Sequence, residues 1–266
     1  MQQNHQSRQQ ISIGNFMHKC KLIESERIDT ALQKGYLETY DIENYGITQP
    51  FLVPDGMVLD SQIGARQERS GMPVKYVYKT GKDFKWDCYG EDVGFQKGIA
   101  NMFVSKFNVY SKEGRGLYIF SKTKGSGKTM LACCLANEIL KKHDMSVKFI
   151  TVMDYLELIK DRSDSAQDQV KALYNAGILI LDDIGAEGRK DWIDSAIFRL
   201  VNNRSSNMGT TLYTSNCEIE ELTCDERIKD RILETSIPVI MPEKSIRSQK
   251  ARKDIKEFLQ RLESEE

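Results

Sequence analysis

An α/β fold, a parallel sheet with helices packed on both faces, is what this sequence predicts, on three observations. From residue 117 onward, short apolar runs alternate with helical patterns, the order expected of strands joined by crossover helices. No proline occurs between Pro73 and Pro238, so the stretch between them can hold unbroken elements. A glycine-rich segment, Lys122-Thr-Lys-Gly125-Ser126-Gly127-Lys128-Thr129, stands directly after the first apolar run and before a helical pattern.

Taken in chain order, the elements begin with Phe16, Cys20 and Ile23, then Ile28, Ala31 and Leu32, at helical spacing among charged residues. They predict two short amphipathic helices, hence a small, mainly helical N-terminal region. Pro50, Pro54 and Pro73 crowd with glycines over residues 46–94 and read as irregular, linker-bearing chain. The expected division is residues 1–82 as an N-terminal partner-binding region with linker, and 83–266 as the main domain. That domain opens with a helix whose apolar face is Ile99, Met102, Phe103 and Phe107. Strands are expected at 117–120, 147–152, 178–181, 210–214 and 238–241, making five, with helices at 129–142, 154–174 and 191–203. A last helix carries Ala251, Ile255, Phe258, Leu259 and Leu262 on one face.

Composition narrows the function. The 266 residues carry 38 Lys+Arg against 39 Asp+Glu, a net charge of −1, which excludes a protein that holds nucleic acid by global charge. No run approaches the roughly 20 apolar residues of a transmembrane helix, and the polar start lacks the apolar core of a signal peptide. The six cysteines form no CxxC pair and two are adjacent, a poor disulfide framework. A cytoplasmic protein with reduced thiols and no membrane contact is expected.

The glycine-rich segment has the placement a phosphate-binding loop needs. Glycines let backbone N–H groups wrap the anion, the helix N-terminus adds positive potential, and Lys128 neutralises the β- and γ-phosphates. Gly125, Ser126, Gly127, Lys128 and Thr129 are thus the candidate ATP-binding residues, with the Thr129 hydroxyl offered to Mg²⁺. Lys122 stands where the full pattern expects glycine, so its side chain either points to solvent or adds a second cation near the phosphates.

The run Ile178-Leu-Ile-Leu-Asp182-Asp183 reads as a buried strand ending in two carboxylates. At the carboxyl end of a parallel strand, Asp182 can hold the Mg²⁺ shell and Asp183 can orient a water for attack on the γ-phosphate. Thr210 to Asn216 reads as a further strand closing on a polar triplet, which would place the Asn216 amide beside that water. Arg227 and Arg231 fall at i and i+4 on one helix face. Such a pair is usually a solvated surface, but in an ATPase that assembles side by side it can supply an arginine finger to a neighbour's γ-phosphate.

Together these motifs resemble the AAA+ ATPases of the P-loop class, and among them the DnaC/DnaI/IstB-like group of helicase loaders and transposition helpers. The resemblance spans roughly Gly71 to the end, and is carried by Gly116-Leu-Tyr-Ile-Phe-Ser-Lys-Thr-Lys-Gly-Ser-Gly-Lys-Thr-Met-Leu-Ala132, Ile178-Leu-Ile-Leu-Asp-Asp-Ile-Gly-Ala-Glu187 and Tyr213-Thr-Ser-Asn216. It implies Lys128 and Thr129 as the Walker A pair, Asp182 and Asp183 as the Walker B acids, and Asn216 as sensor 1. It also implies Arg231, with Arg227 beside it, as the arginine-finger box, and Arg247 as sensor 2. After Arg231 only about 35 residues follow, too few for a separate helical lid, which is the truncated end the loaders resemble.

The same resemblance implies a slow, switch-type ATP hydrolase using ATP and Mg²⁺ that self-associates through its ATP site. Its partner would be a replicative DnaB-type ring helicase, reached through the N-terminal region. It implies a single-stranded DNA grip on the helix after the second strand, where Tyr155, Lys160 and Arg162 mix an aromatic with two cations. Asp154, Glu157, Asp161 and Asp164 share that segment and oppose a strong basic patch. Two alternatives stay open within the fold: an IstB-like helper of a transposase acting on duplex DNA, and a non-hydrolysing, nucleotide-gated adaptor.

Overall fold

The computed structural model describes residues 8–13, 16–29, 34–42, 47–54, 63–188 and 190–248, together with Ile255, Phe258 and Gln260. The chain divides into two compact units, Met1–Gly64 and Ala65–Glu266.

The first unit corrects the expectation of a mainly helical N-terminal region. It holds four strands, β1 (Arg8–Ile13), β2 (Phe16–Asp29), β3 (Lys34–Ile42) and β4 (Ile47–Pro54), paired antiparallel in sequential order. Phe16, Cys20 and Leu22 are separated by even intervals, as are Tyr36, Tyr40 and Ile42, so they fit the two-residue period of a strand, whereas Phe16, Cys20 and Ile23 are spaced as on a helix. What decides between them is long-range pairing, Cys20 with Ile42 and Tyr36 with Val53 among others, which three apolar residues at helical spacing do not reveal. Ala31 and Leu32 lie outside the described residues.

After α1 (residues 63–68), the second unit runs through irregular chain and a 3-10 turn at Trp86–Tyr89. Next come α2 (Gly94–Ser105), α3 (Phe107–Lys112), β5 (Gly116–Phe120) and α4 (Lys128–Leu140). After them run β6 (Val147–Thr151), α5 (Val152–Lys160), α6 (Asp164–Tyr174) and β7 (Ile178–Ile184). The last elements are α7 (Asp191–Ser206), β8 (Thr210–Ser215), α8 (Glu226–Thr235) and β9 (Ser236–Ile240).

The five strands of this unit form one parallel sheet in the order β6-β7-β8-β5-β9. Its alternation splits the core in two. Leu117 and Ile119 of β5, Ile178 and Ile180 of β7, and Leu212 of β8 face α2, α3 and α4, where Phe103, Phe107, Leu131 and Ile139 are buried. Tyr118, Leu179, Leu181 and Tyr213 face the other way, onto Ile197 and Leu200 of α7 and Ile228 and Ile232 of α8. The central strands are buried on both sides, which is why they read as continuous apolar runs.

Two boundaries differ from expectation. Residues 65–82 belong to the second unit. The buried Asn137 amide donates to Tyr76 O and Lys79 O, Gln67 Nε2 donates to Asn137 Oδ1, and Phe149 N–H donates to Ser70 O. Such satisfied polar contacts bind irregular chain that its Pro/Gly content made look like a linker. The helix expected at 154–174 is two helices, because Ser163 Oγ accepts Ala166 N–H and starts α6 afresh. At the C-terminal end Ile255 and Phe258 are helical and exposed, while Ala251, Leu259 and Leu262 lie outside the described residues.

Candidate functional site

The order β7-β8-β5 puts three strand ends side by side at the carboxyl edge of the sheet, and the chemistry-bearing residues sit there. From β5 the chain turns through residues 121–127 into α4. Gly125 and Gly127 have φ of 79° and 98°, the left-handed region that a side chain disfavours. A Cβ on Gly127 would also meet Tyr89 Oη at 3.1 Å, and one on Gly125 would meet Arg247 Cβ at 3.0 Å. The turn thus demands glycine for both conformation and room.

Lys128 is buried, and its Nζ donates to Ser121 O at 3.1 Å, Thr123 O at 3.2 Å and Ser126 Oγ at 3.3 Å. Burial pulls its pKa down, while the charges of Asp183, Glu243 and Asp182 support the cation. Thr129 Oγ1 donates to Asp182 Oδ1 at 2.8 Å, joining the first turn of α4 to the end of β7.

Asp182 is 8% exposed and takes a second hydrogen bond, from Thr214 Oγ1 at 2.6 Å. Burial raises its pKa, an effect the two threonine hydroxyls oppose. Asp183 is exposed and has φ of 63°. Its N–H donates to Thr214 Oγ1 at 3.0 Å and its Oδ1 accepts from Asn216 Nδ2 at 2.9 Å. Thr214 of the neighbouring strand β8, and Asn216 just beyond its end, therefore hold the two carboxylates.

Arg247 stands against the same loop: its N–H and that of Ile246 donate to Gly125 O at 3.2 and 3.0 Å. Sequence reasoning missed Tyr89, whose hydroxyl donates to Ser126 O at 2.6 Å while its carbonyl accepts Lys244 Nζ at 2.7 Å. It also missed Thr214 and Glu243. Thr214 was legible in principle, as the one hydroxyl two residues before Asn216 on a strand beside the two carboxylates. The bonds of Tyr89 and Glu243 span 37 and more than 100 residues, and no local pattern marks them.

Other expected site residues lie apart from this cluster. Arg231 on α8 bonds Asn202 Oδ1 at 3.3 Å and Glu234 Oε2 at 2.7 Å, and Arg227 pairs with Asp225 and lies over the Phe198 ring. Tyr155 is corrected outright as a DNA-stacking residue. Its ring is fully buried between α5 and α7 and its hydroxyl donates to Ala196 O at 3.1 Å. Residue 155 follows Val152 at helical spacing, so it falls on the apolar face of α5. Lys160 and Arg162 are exposed, and the aromatic beside Lys160 is Trp192 on α7. It is 41% exposed, with Lys160 Nζ 4.7 Å from its ring centre.

The donor set around Thr129, Asp182 and Asp183 is all oxygen, the chemistry of a hard cation such as Mg²⁺. Among the described residues no cluster of three or more His, Cys, Asp or Glu is assembled. A site with one or two carboxylates, completed by phosphate oxygens and water, matches how Mg²⁺ is usually held. Among the described residues, no helix is long and apolar enough to cross a membrane.

Residues 97–253 match the family model of the IstB-like ATP binding protein. The replicative helicase loader DnaC of Escherichia coli K12 is 28% identical over 253 residues, covering 91% of this chain and 99% of that protein. The replicative helicase loader DnaI of Bacillus subtilis is 32% identical over 126 residues, 45% of this chain and 39% of that protein. A crystal structure of DnaI superposes with a TM-score of 0.56 at 24% identity, covering 64% of this chain and 95% of that one, a likeness of fold.

Proposed function

Because the chain belongs to the IstB-like ATP-binding proteins, AAA+ ATPases, we propose that it is a replicative helicase loader: a slow, switch-type ATPase that binds single-stranded DNA and delivers or remodels a ring helicase. The observation that carries this reading is the shared anchoring of Thr129, Asp182, Asp183 and Asn216 at one sheet edge, in a chain similar to DnaC over nearly the whole length of both.

In this reading the N–H groups of residues 125–129 and the Lys128 cation hold the phosphates. Thr129 and Asp182 hold Mg²⁺, which when bound neutralises charge on the β- and γ-oxygens. Asp183, steadied by Asn216, orients the attacking water. Arg247 reads nucleotide from the chain's own side. Arg231 reaches the γ-phosphate of a second copy, leaving Glu234 to do so. An aspartate at position 183 has less reach than a glutamate, which supports slow turnover.

Trp192, Lys160 and Arg162 form the DNA surface. A base stacked on an indole flanked by cations is held without regard to sequence, the need of a single-strand grip. With net charge near zero, that grip is local and depends on nucleotide state. The N-terminal sheet unit, Met1–Gly64, meets the DnaB-type helicase.

The test compares retention of single-stranded and duplex DNA by the full chain in ATP and in ADP. The loader reading expects ATP-dependent retention of single strands. Equal or stronger retention of duplex would favour a transposase helper, and nucleotide-independent behaviour without ATP turnover would favour an adaptor.

A further inference from the structure

Lys122 occupies a position where the phosphate-loop pattern expects glycine. Its backbone does not need one: among the described residues, positive φ outside glycine occurs only at Asp183 and Met208. The side chain is therefore accommodated without strain, and it is engaged. Nζ donates to Glu221 Oε1 at 2.6 Å and lies 3.9 Å from Glu218 Oε1. Both glutamates belong to the segment that leads from Asn216 to α8. They are joined to one another, since Glu218 N–H donates to Glu221 Oε2 at 3.3 Å. Each partner favours the other's charged form: the Glu221 hydrogen bond raises the lysine pKa, and the Lys122 hydrogen bond lowers that of Glu221.

The backbone of the same residue is held from a different segment. Glu243, just after β9, accepts Lys122 N–H at 2.8 Å through one oxygen and Thr123 N–H at 2.6 Å through the other. Four residues later comes Arg247, whose own N–H bonds Gly125 O. The phosphate loop, the Asn216 segment and the Arg247 segment thus converge on one residue. A glycine there would keep the Glu243 bonds and lose the tie to Glu221.

We propose that Lys122 is a positioning residue, a latch that ties the phosphate loop to the Asn216 segment through Glu221 and so slows nucleotide release. The proposal rests on reading the loop as an ATP site. It assigns Lys122 to the timing of the switch and not to bond-making. The ion pair is exposed on both sides, 57% and 46%, so salt screens it. One exposed pair contributes modestly, and the effect is several-fold.

The opposite use of the same lysine, a second cation for the phosphates held off by Glu221, makes the opposite prediction for one variant. The full chain is loaded with mant-ADP and chased with unlabelled ADP, as wild type, Lys122→Gly, Glu221→Gln and the double variant, from about 50 mM to about 500 mM salt. The latch predicts release about 2- to 5-fold faster at low salt in either single variant, with no further gain in the double variant. Rising salt should speed wild type until the difference closes. Slower release from Glu221→Gln would mean the freed lysine binds phosphate, and would overturn the latch. Equal rates in all four proteins would overturn it alone, whereas a wild type unable to retain mant-ADP would overturn the ATP reading as well. Glu221→Gln alters only an exposed carboxylate, so the test survives should Lys122→Gly fail to fold.

Discussion

Asn216 donates its side-chain amide to Asp183 Oδ1 at 2.9 Å, across the ends of two adjacent strands. Asp183 sits at φ 63°, a conformation that costs a non-glycine residue on the order of 1 kcal/mol and is kept only where neighbours fix it. Thr214 fixes the backbone and Asn216 the carboxylate. Asn216→Ala should therefore leave ATP affinity within a few-fold and lower turnover by roughly 10²-fold, the scale for losing one oriented polar group at a reacting centre. Steady-state ATPase assays beside equilibrium binding would check this, and an unchanged kcat would remove Asn216 from the mechanism.

Asp182 gives a prediction of opposite sign for stability and activity. Burial raises its pKa, so the native state holds that proton more readily than the unfolded chain does. The stability linked to this group is therefore present at low pH and lost as pH rises through the folded pKa, leaving a buried charge as a net cost at neutrality. Asp182→Asn keeps an acceptor for Thr129 and Thr214, and Lys128 keeps Asp183 and Glu243 beside it. The variant should melt a few degrees higher at pH 7 without nucleotide, on the order of 1 kcal/mol, while losing Mg²⁺-dependent turnover. Thermal melts across pH should show its advantage shrinking as pH falls.

Trp192 and Tyr155 separate DNA contact from packing. Trp192→Ala should weaken single-stranded DNA binding by about 1–3 kcal/mol, roughly 5- to 150-fold, with little change in melting temperature. Tyr155→Phe removes the bond to Ala196 O, should cost about 1 kcal/mol of stability and should leave DNA binding unchanged. Fluorescence anisotropy with a labelled oligonucleotide, beside chemical denaturation, distinguishes the two.

Arg231 pairs with Glu234 at 43% and 59% exposure, a contact worth less than about 1 kcal/mol. Arg231→Ala should thus fold and bind ATP as wild type does, yet lose the turnover that rises with protein concentration, by roughly 10³-fold if it is the finger. Turnover measured against concentration is the readout, and full activity in the variant would withdraw the assignment.

How much of this was legible follows from how local each signal is. The five parallel strands and the phosphate loop were, because a short apolar run and a glycine-rich turn each leave a mark within ten residues. Asp182, Asp183 and Asn216 were as well, because strand ends at one sheet edge are brought together by topology alone. The N-terminal sheet was not: Phe16, Cys20 and Ile23 are spaced as on a helix, and only pairing with β3 overrides that spacing. Tyr155 was misjudged for a related reason. An aromatic between charges looks like a stacking surface until the helix phase sends it to the core, and the exposed aromatic beside Lys160 is Trp192, on a helix three elements later.

Loading of a DnaB-type helicase onto circular single-stranded DNA is the measurement closest to the central claim. Full-length protein with ATP should place the helicase on the circle, and Lys128→Ala, which loses the phosphate-binding cation, should not. Helicase loading that proceeds equally without this protein, or equally well with Lys128→Ala, would contradict an ATP-switched loader.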